Sequence, residues 1–247
     1  MPVSGLLAAA SIASLNLCTD EYLLLLAKPQ EIASVSFLSH DPQESPLWRI
    51  ARQHHSNRGS LEQVIGVKPN VVLTMGRGGR ATSLIARRLG IRAVDLRPVS
   101  TIEDVSVNFR MTAGALGDPQ RAKPWLQRLR RLKSDKPDRT ADAIWIGGGG
   151  QTIGYPSVGA EWMRLAGLRQ RPLRGDRVSL ETLLVRPPAV LLQSRYRSGQ
   201  MSRGVAWLTH PIVLKAKSKR VEADGRAWTC MGPLVIMEVE RLRMALR

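Results

Sequence analysis

The strongest constraint on the fold is a segment that occurs twice. Residues 60–73 read SLEQVIGVKPNVVL and residues 179–192 read SLETLLVRPPAVLL, and the two align when Gly66 is set aside. Each copy predicts a short helix, a turn marked by proline and a buried strand. One copy in each half of a 247-residue chain predicts two similar lobes. A cleft between lobes is a common ligand site.

A glutamate occupies the third position of both copies, as Glu62 and Glu181. Packing of a helix against a sheet requires the apolar residues of the segment but not this acid. A carboxylate near a helix N-terminus is favoured by the helix dipole, so one interpretation is that both residues only complement their helix ends. Ser60 and Gln63 also have the spacing of a capping box.

The order of elements predicts parallel sheets. Apolar strand candidates alternate with helix candidates along both halves, a pattern typical of sheets with helical crossovers. Thr19 or Asp20 is placed to cap the first helix. We therefore predict an α/β fold with two Rossmann-like lobes joined by a single long α-helix. The predicted boundaries are 11–116 for the first lobe, 117–137 for the helix and 138–247 for the second lobe.

The chain is strongly basic, with a net charge of +17 and a pI near 11.2. Such a charge suits nucleic acids, anionic surfaces or acidic ligands. The basic residues are scattered, and the densest run, 121–136, lies on a predicted helix whose charged face we expect to be solvated. No motif that reads a nucleic-acid groove is present, so nucleic-acid binding is the least favoured function.

Patterns of catalysis and of resident metal binding are absent from the sequence. No nucleophile is paired with a base, and the glycines at 147–150 lack the Gly-Lys-Ser/Thr ending of a phosphate-binding loop. The four histidines have no metal-ligand spacing. We therefore expect no catalytic residue, no metal site and no cofactor.

Several stretches in order resemble one protein family. They are residues 14–21, residues 59–62 followed by Lys68-Pro69 and a strand, Arg77-Gly78-Gly79 with its helix, and the helix at 118–133. Together they resemble the helical-backbone (class III) periplasmic binding proteins, which serve ABC importers of vitamin B12, haem and iron–siderophores. The resemblance extends over nearly the whole chain from Ser11.

The resemblance implies a function and partners. The chain is expected to capture an iron–siderophore, haem or cobalamin-type metal chelate between its lobes as a periplasmic monomer. Glu62 and Glu181 match the family's acidic residues that meet arginines of the inner-membrane permease. The N-terminal MPVSGLLAAAS resembles only the end of an export signal. The alternative is a cytoplasmic two-lobed α/β enzyme or anion-binding protein.

The resemblance also implies that loops following the strands contact the ligand. Arginines there suit an anionic ligand, and Tyr155 and Trp228 suit stacking on a ring. The chain lacks the family's cobalamin-packing tryptophans at 56–59 and at Gly76, which favours a smaller or more acidic chelate. The candidate ligand-binding residues are Cys18, Thr19, Leu38, Arg58, Arg77, Gly78, Tyr155, Arg195, Trp228 and Cys230.

The two cysteines allow three interpretations under this resemblance. Cys18 and Cys230 are two buried thiols, a disulfide across the lobes, or soft ligands of a bound metal, in that order of preference.

Overall fold

The computed structural model describes residues 10–76, 79–197 and 202–247. The chain divides into two compact units. The first contains the chain up to Pro98 together with Val107–Pro124, and the second contains Val99–Ser106 and Trp125–Arg247. No helix among the described residues is long and apolar enough to cross a bilayer.

Five parallel strands form the sheet of the first unit, in the order β3-β2-β1-β4-β5. The strands are β1 Ile12–Ser14, β2 Ile32–Ser36, β3 His55–Asn57, β4 Val71–Met75 and β5 Arg92–Leu96. The helices up to residue 115 are α1 Leu17–Leu26, α2 Trp48–Ala51, α3 Leu61–Val64, α4 Gly79–Arg88 and α5 Ile102–Ala115.

Four parallel strands form the sheet of the second unit, in the order β7-β6-β8-β9. The strands are β6 Ala141–Ile146, β7 Leu168–Gln170, β8 Val190–Ser194 and β9 Lys219–Ala223. The remaining helices are α6 Lys123–Ser134, α7 Val158–Leu165, α8 Leu180–Val185, α9 Arg203–Leu208, α10 Pro211–Lys215 and α11 Leu234–Leu246. A 3₁₀ turn at Pro119–Ala122 leads directly into α6.

The repeated segment forms the same helix–turn–strand unit in both sheets, and it does so without a gap. Leu61 and Leu180 begin α3 and α8, and Val71 and Val190 begin β4 and β8, so helix start and strand start lie ten residues apart in each copy. The alignment that omits Gly66 is therefore wrong. Conservation of the turn length keeps the buried side of each helix over its sheet.

The apolar positions of the repeat belong to the two cores. Val64 and Val72 are buried with Ala13 and Leu15 of the first unit. Leu183 and Leu191, at the corresponding positions of the second copy, are buried with Ile144. The shared sequence pattern is thus explained by packing of one helix face on a parallel sheet.

Two predicted caps are wrong. Asn16 caps α1, since its side chain accepts a hydrogen bond from the Thr19 N–H at 3.0 Å, while Asp20 is buried. Ser60 makes no capping hydrogen bond to α3, and the Gln63 side chain instead accepts the Arg58 N–H at 2.5 Å.

Candidate functional site

Each sheet has a strand at which the strand order reverses, so that other strands of the same sheet lie on both of its sides. In the first unit β2 and β3 lie on one side of β1, and β4 and β5 lie on the other. In the second unit β7 lies on one side of β6, and β8 and β9 lie on the other. Ligands of open parallel sheets bind outside the carboxyl ends of the strands at such a switch point.

A pocket of about 300 Å³ lies at this edge of the second sheet. Its walls come from the ends of β6 and β8 and from the loop after β9, and they include the aromatic residues Trp145, Tyr196 and Trp228. The other lining residues are Gly147, Gly148, Gln151, Ser194, Arg197, Ser202, Val205, Gly225, Thr229 and Met231.

Two indole groups form one wall of this pocket. The ring centroids of Trp145 and Trp228 lie 6.5 Å apart at an interplanar angle of 50°. Both Nε1 atoms are buried without a hydrogen-bond partner among the described residues. An unsatisfied buried donor costs about 1–3 kcal/mol. A ligand that presents an acceptor to either indole N–H would remove that cost.

Gly225 lets the loop after β9 pass against the end of β8. A Cβ atom at this position would lie 2.1 Å from Ser194 Oγ and 2.5 Å from Tyr196 Cβ. A side chain here would displace Tyr196, and with it one wall of the pocket.

Of the residues predicted in this unit, Trp228 lines the pocket and is only 3% exposed. Arg195 and Tyr155 are not among the lining residues, and Tyr155 is largely exposed. Arg195 Nε lies 3.7 Å from Glu222 Oε1 in an exposed ion pair.

The guanidinium that lines the pocket belongs to Arg197 and not to Arg195, which was the predicted residue. It lines the pocket, and its Cζ lies 5.5 Å from the ring centroid of Tyr196. The sequence prediction missed Trp145 and Arg197, whereas Tyr196 belongs to the strand-end loop at 195–196 that was expected to face the ligand. Trp145 had a usable signal, because it is the penultimate residue of a predicted strand followed by four glycines.

Cys18 lies in the first turn of α1, and Cys230 lies before α11. Both are disulfide-bonded and neither is a free thiol. The preferred interpretation as two buried thiols, and with it that of soft metal ligands, is therefore wrong.

A buried carboxylate organises the carboxyl edge of the first sheet. Asp20 accepts hydrogen bonds from the Ser36 N–H at 3.1 Å and from the hydroxyls of Ser36 and Ser39 at 2.5 Å each. Burial raises the pKa of Asp20 to about 6, although hydrogen bonds from Ser14, Ser36 and Ser39 act in the opposite direction. These bonds fix the 3₁₀ turn Phe37–His40 that follows β2.

The residues predicted in the first unit differ in exposure. Thr19 is buried, and its hydroxyl is hydrogen-bonded to Ser14 Oγ at 2.6 Å and to the Asn16 carbonyl at 3.0 Å. Leu38 is half-buried in the turn after β2, and Arg58 is exposed after β3. Arg77 and Gly78 lie outside the described residues.

Phe37 is a further residue at this edge that is not among the predicted site residues. It begins the turn after β2 and is half exposed, so it adds an aromatic ring at this edge. Gly59 has a φ of +88°, and a Cβ there would lie 2.9 Å from the Leu15 carbonyl oxygen. Glycine therefore allows the loop after β3 to close over the end of β1.

Residues 12–194 match the sequence model of a family described as "Periplasmic binding protein". No curated protein sequence matches the chain significantly.

Solved structures of periplasmic proteins share the fold. A haem-binding protein, HutB of Vibrio cholerae, has a TM-score of 0.70 at 18% identity, covering 97% of this chain and 99% of its own. A haem-binding protein from Pseudomonas aeruginosa has a TM-score of 0.68 at 20% identity, with coverage of 95% and 91%. The vitamin B12-binding protein BtuF of Vibrio cholerae has a TM-score of 0.62 at 18% identity, with coverage of 96% of each chain.

Proposed function

We propose, because the chain belongs to the periplasmic binding protein family, that it is the solute-binding component of an ABC importer. It captures an iron–siderophore, haem or cobalamin-type metal chelate and delivers it to a membrane permease. It performs no chemistry on this cargo. The observation that carries the proposal is the aromatic pocket at the carboxyl edge of the second sheet, the edge at which open α/β sheets bind ligands.

The chemistry of the pocket favours an acidic chelate. Two indole N–H groups without partners among the described residues offer donors, and Arg197 offers a positive charge beside an aromatic ring. Carboxylates satisfy both kinds of group, since they accept hydrogen bonds and pair with guanidinium. Haem and carboxylate-bearing ferric siderophores have such groups. The net charge of +17 also favours an anionic cargo.

The ligand contacts on this proposal combine predicted and observed residues. Trp145, Tyr196, Arg197 and Trp228 form the contacts in the second unit. In the first unit Leu38 and Arg58 follow strand ends, and Phe37 adds an aromatic ring. Arg77 and Gly78, which lie outside the described residues, keep the ligand contact that the resemblance implies. Thr19 has a positioning role, because its hydroxyl is already bonded within the protein. Tyr155 and Arg195 remain outer contacts for a ligand larger than the pocket.

The first experiment is a titration of the purified protein with haemin, cyanocobalamin and several ferric siderophores, followed by inner-filter-corrected tryptophan fluorescence and by absorbance. We expect saturable binding of one acidic chelate at micromolar or lower concentration. The Trp228→Phe variant, which removes one indole donor, should bind that ligand on the order of tenfold more weakly. Trp125→Phe is the control, because Trp125 belongs to α6 and is not among the residues that line the pocket. Absence of saturable binding across the panel would contradict the proposal.

Glu62 and Glu181 are the proposed permease contacts. Both are exposed at the start of a short helix. The pKa of Glu62 is lowered by hydrogen bonds from its own N–H and from the Ser60 hydroxyl, so it is ionised at neutral pH. We expect the double variant Glu62→Ala/Glu181→Ala to bind ligand like the wild type but to lose uptake of that ligand by cells. Loss of ligand affinity in this variant would contradict a docking role.

A periplasmic location is part of the proposal. The two disulfide-bonded cysteines support it, because disulfides persist in oxidising compartments such as the bacterial periplasm. Osmotic-shock fractionation of the native host, with immunodetection of the chain, tests the location. Recovery in the cytoplasmic fraction would favour the alternative of a cytoplasmic enzyme or anion-binding protein.

A further inference from the structure

Each copy of the repeat places an exposed aliphatic side chain three residues after its glutamate. Ile65 is 42% exposed and Leu184 is 67% exposed, while their neighbours Val64 and Leu183 are buried. Single exposed aliphatic residues are ordinary. The same placement beside the same acid in two separate units is not required by packing, because Val64 and Leu183 already fill the cores.

The second copy stands between two grooves. One, of about 760 Å³, is lined by Glu181, Thr182 and Val185 of α8 together with residues of β7 and the start of β6. The other, of about 570 Å³, is lined by Leu183, Leu184 and Val185 together with residues around α10. Helix α8 is therefore a ridge, with Glu181 along one side and Leu184 along the other, and Val185, 68% exposed, borders both grooves.

Charges around the ridge leave the glutamate available. Arg171 is paired with Asp142 and donates to the Arg186 carbonyl at 2.5 Å. Among the ion pairs of the described residues, none involves Glu62 or Glu181. In a chain with 37 basic residues and 20 acidic ones, two exposed acids without a cationic partner in the described part of the chain are open to a basic group from outside.

We infer that Ile65 and Leu184, the latter with Val185, are apolar docking contacts for the membrane permease. The permease surface that fits each copy carries a basic side chain for the glutamate and an apolar hollow for the aliphatic group three residues later. This inference rests on the proposed function and adds apolar residues to the docking contacts proposed for Glu62 and Glu181.

The two parts of each contact have different physical roles. An exposed ion pair contributes little affinity and is screened by salt, but it steers and orients the encounter. Burial of an aliphatic side chain is insensitive to moderate salt and contributes affinity roughly in proportion to the apolar area that leaves water. The apolar contact therefore supplies most of the affinity, and the glutamate supplies the orientation.

The test measures binding of the whole protein to its purified ABC permease in lipid nanodiscs by biolayer interferometry, at about 0.1 M and 0.5 M NaCl. We expect Ile65→Ala/Leu184→Ala to weaken binding on the order of tenfold or more at both salt concentrations. The matched control is Leu84→Ala/Met244→Ala, which removes two apolar side chains at least as exposed, outside the repeat, and should bind within about twofold of the wild type. Thermal unfolding of both variants checks that folding is retained.

The outcomes separate this inference from the proposed function. If Glu62→Ala/Glu181→Ala weakens binding at low salt while Ile65→Ala/Leu184→Ala binds like the wild type, the inference is overturned and the acidic docking stands. Equal weakening by the control pair also overturns it, since the effect would then not be specific to the repeat. If the wild-type protein does not bind the permease at all, both fail.

Discussion

At the scale of single residues, Asp20 is a fully buried acid whose carboxylate is surrounded by hydroxyl groups rather than by cations. The Ser36 N–H and the hydroxyls of Ser36 and Ser39 donate to its carboxylate and hold the turn that carries Leu38. Because desolvation outweighs these hydrogen bonds, the pKa is raised to about 6. The carboxylate thus fixes the loop at the cost of stability at neutral pH.

The linkage gives a pH dependence of defined sign. The folded-state pKa of about 6 lies above the value of 3.8 for an unperturbed aspartate, so the stability associated with Asp20 is present below about pH 4 and is lost as the pH rises through about 6. Two pKa units correspond to roughly 3 kcal/mol. We expect urea unfolding to show the wild type losing stability relative to Asp20→Asn between pH 4 and 7 by up to this amount. The exposed Asp41→Asn variant should follow the wild type, and parallel curves for wild type and Asp20→Asn would contradict the assignment.

The site residues show how much of a pocket can be predicted from individual residues of the sequence. Trp228 lines a pocket on the second sheet, and its predicted contact with a ligand stays a proposal. Arg195 and Arg197 are both arginines in one loop, and which of them enters the pocket depends on the backbone path over Gly225. The disulfide state of the cysteines was likewise open, because Cys18 and Cys230 are 212 positions apart and sequence spacing carries no information on their bonding.

At the scale of elements, the repeated helix offers a matched pair for testing capping. Ser179 Oγ accepts the Thr182 N–H at 3.0 Å and caps α8, whereas Ser60 at the same repeat position makes no cap bond to α3. Loss of an N-cap hydrogen bond costs about 1 kcal/mol. We therefore expect Ser179→Ala to lower the free energy of unfolding by about that amount and Ser60→Ala to lower it by less than half as much, measured by urea denaturation. Equal losses would contradict the difference in capping.

Strands with continuous apolar runs are predictable from the sequence, whereas the short strands at two of the four sheet edges are not. β6 has such an apolar run in its sequence ADAIWI. β3 consists of the polar residues HSN and β7 of LRQ, and both lie at sheet edges. An edge strand buries little, so its sequence lacks the apolar run that reveals a central strand. The two parallel sheets were predicted from the alternation of strand and helix candidates together with the repeat, and the family was predicted from the resemblance of several stretches in order.

At the scale of the whole molecule, the charge of +17 has a kinetic consequence for an anionic cargo. A field of one sign raises the association rate of an oppositely charged ligand and is screened by salt. We expect the association rate of the acidic chelate that binds to fall on the order of tenfold between 0.02 and 0.5 M NaCl in stopped-flow fluorescence, with a smaller change in the dissociation rate. A salt-independent association rate would exclude steering by the net charge.

The spacing from helix start to strand start is ten residues in both copies, so the helical part of the segment is a unit of fixed length that can be exchanged between them. Residues 61–65 and 180–184 can be exchanged without altering the length of either turn, since each helix meets its sheet in the same register. On the proposed docking role, the residues that meet the importer lie in this segment and its immediate continuation, separate from the loops proposed to contact the cargo. A chimera in which this segment of one binding protein replaces that of another is then expected to deliver the second protein's cargo to the first protein's transporter.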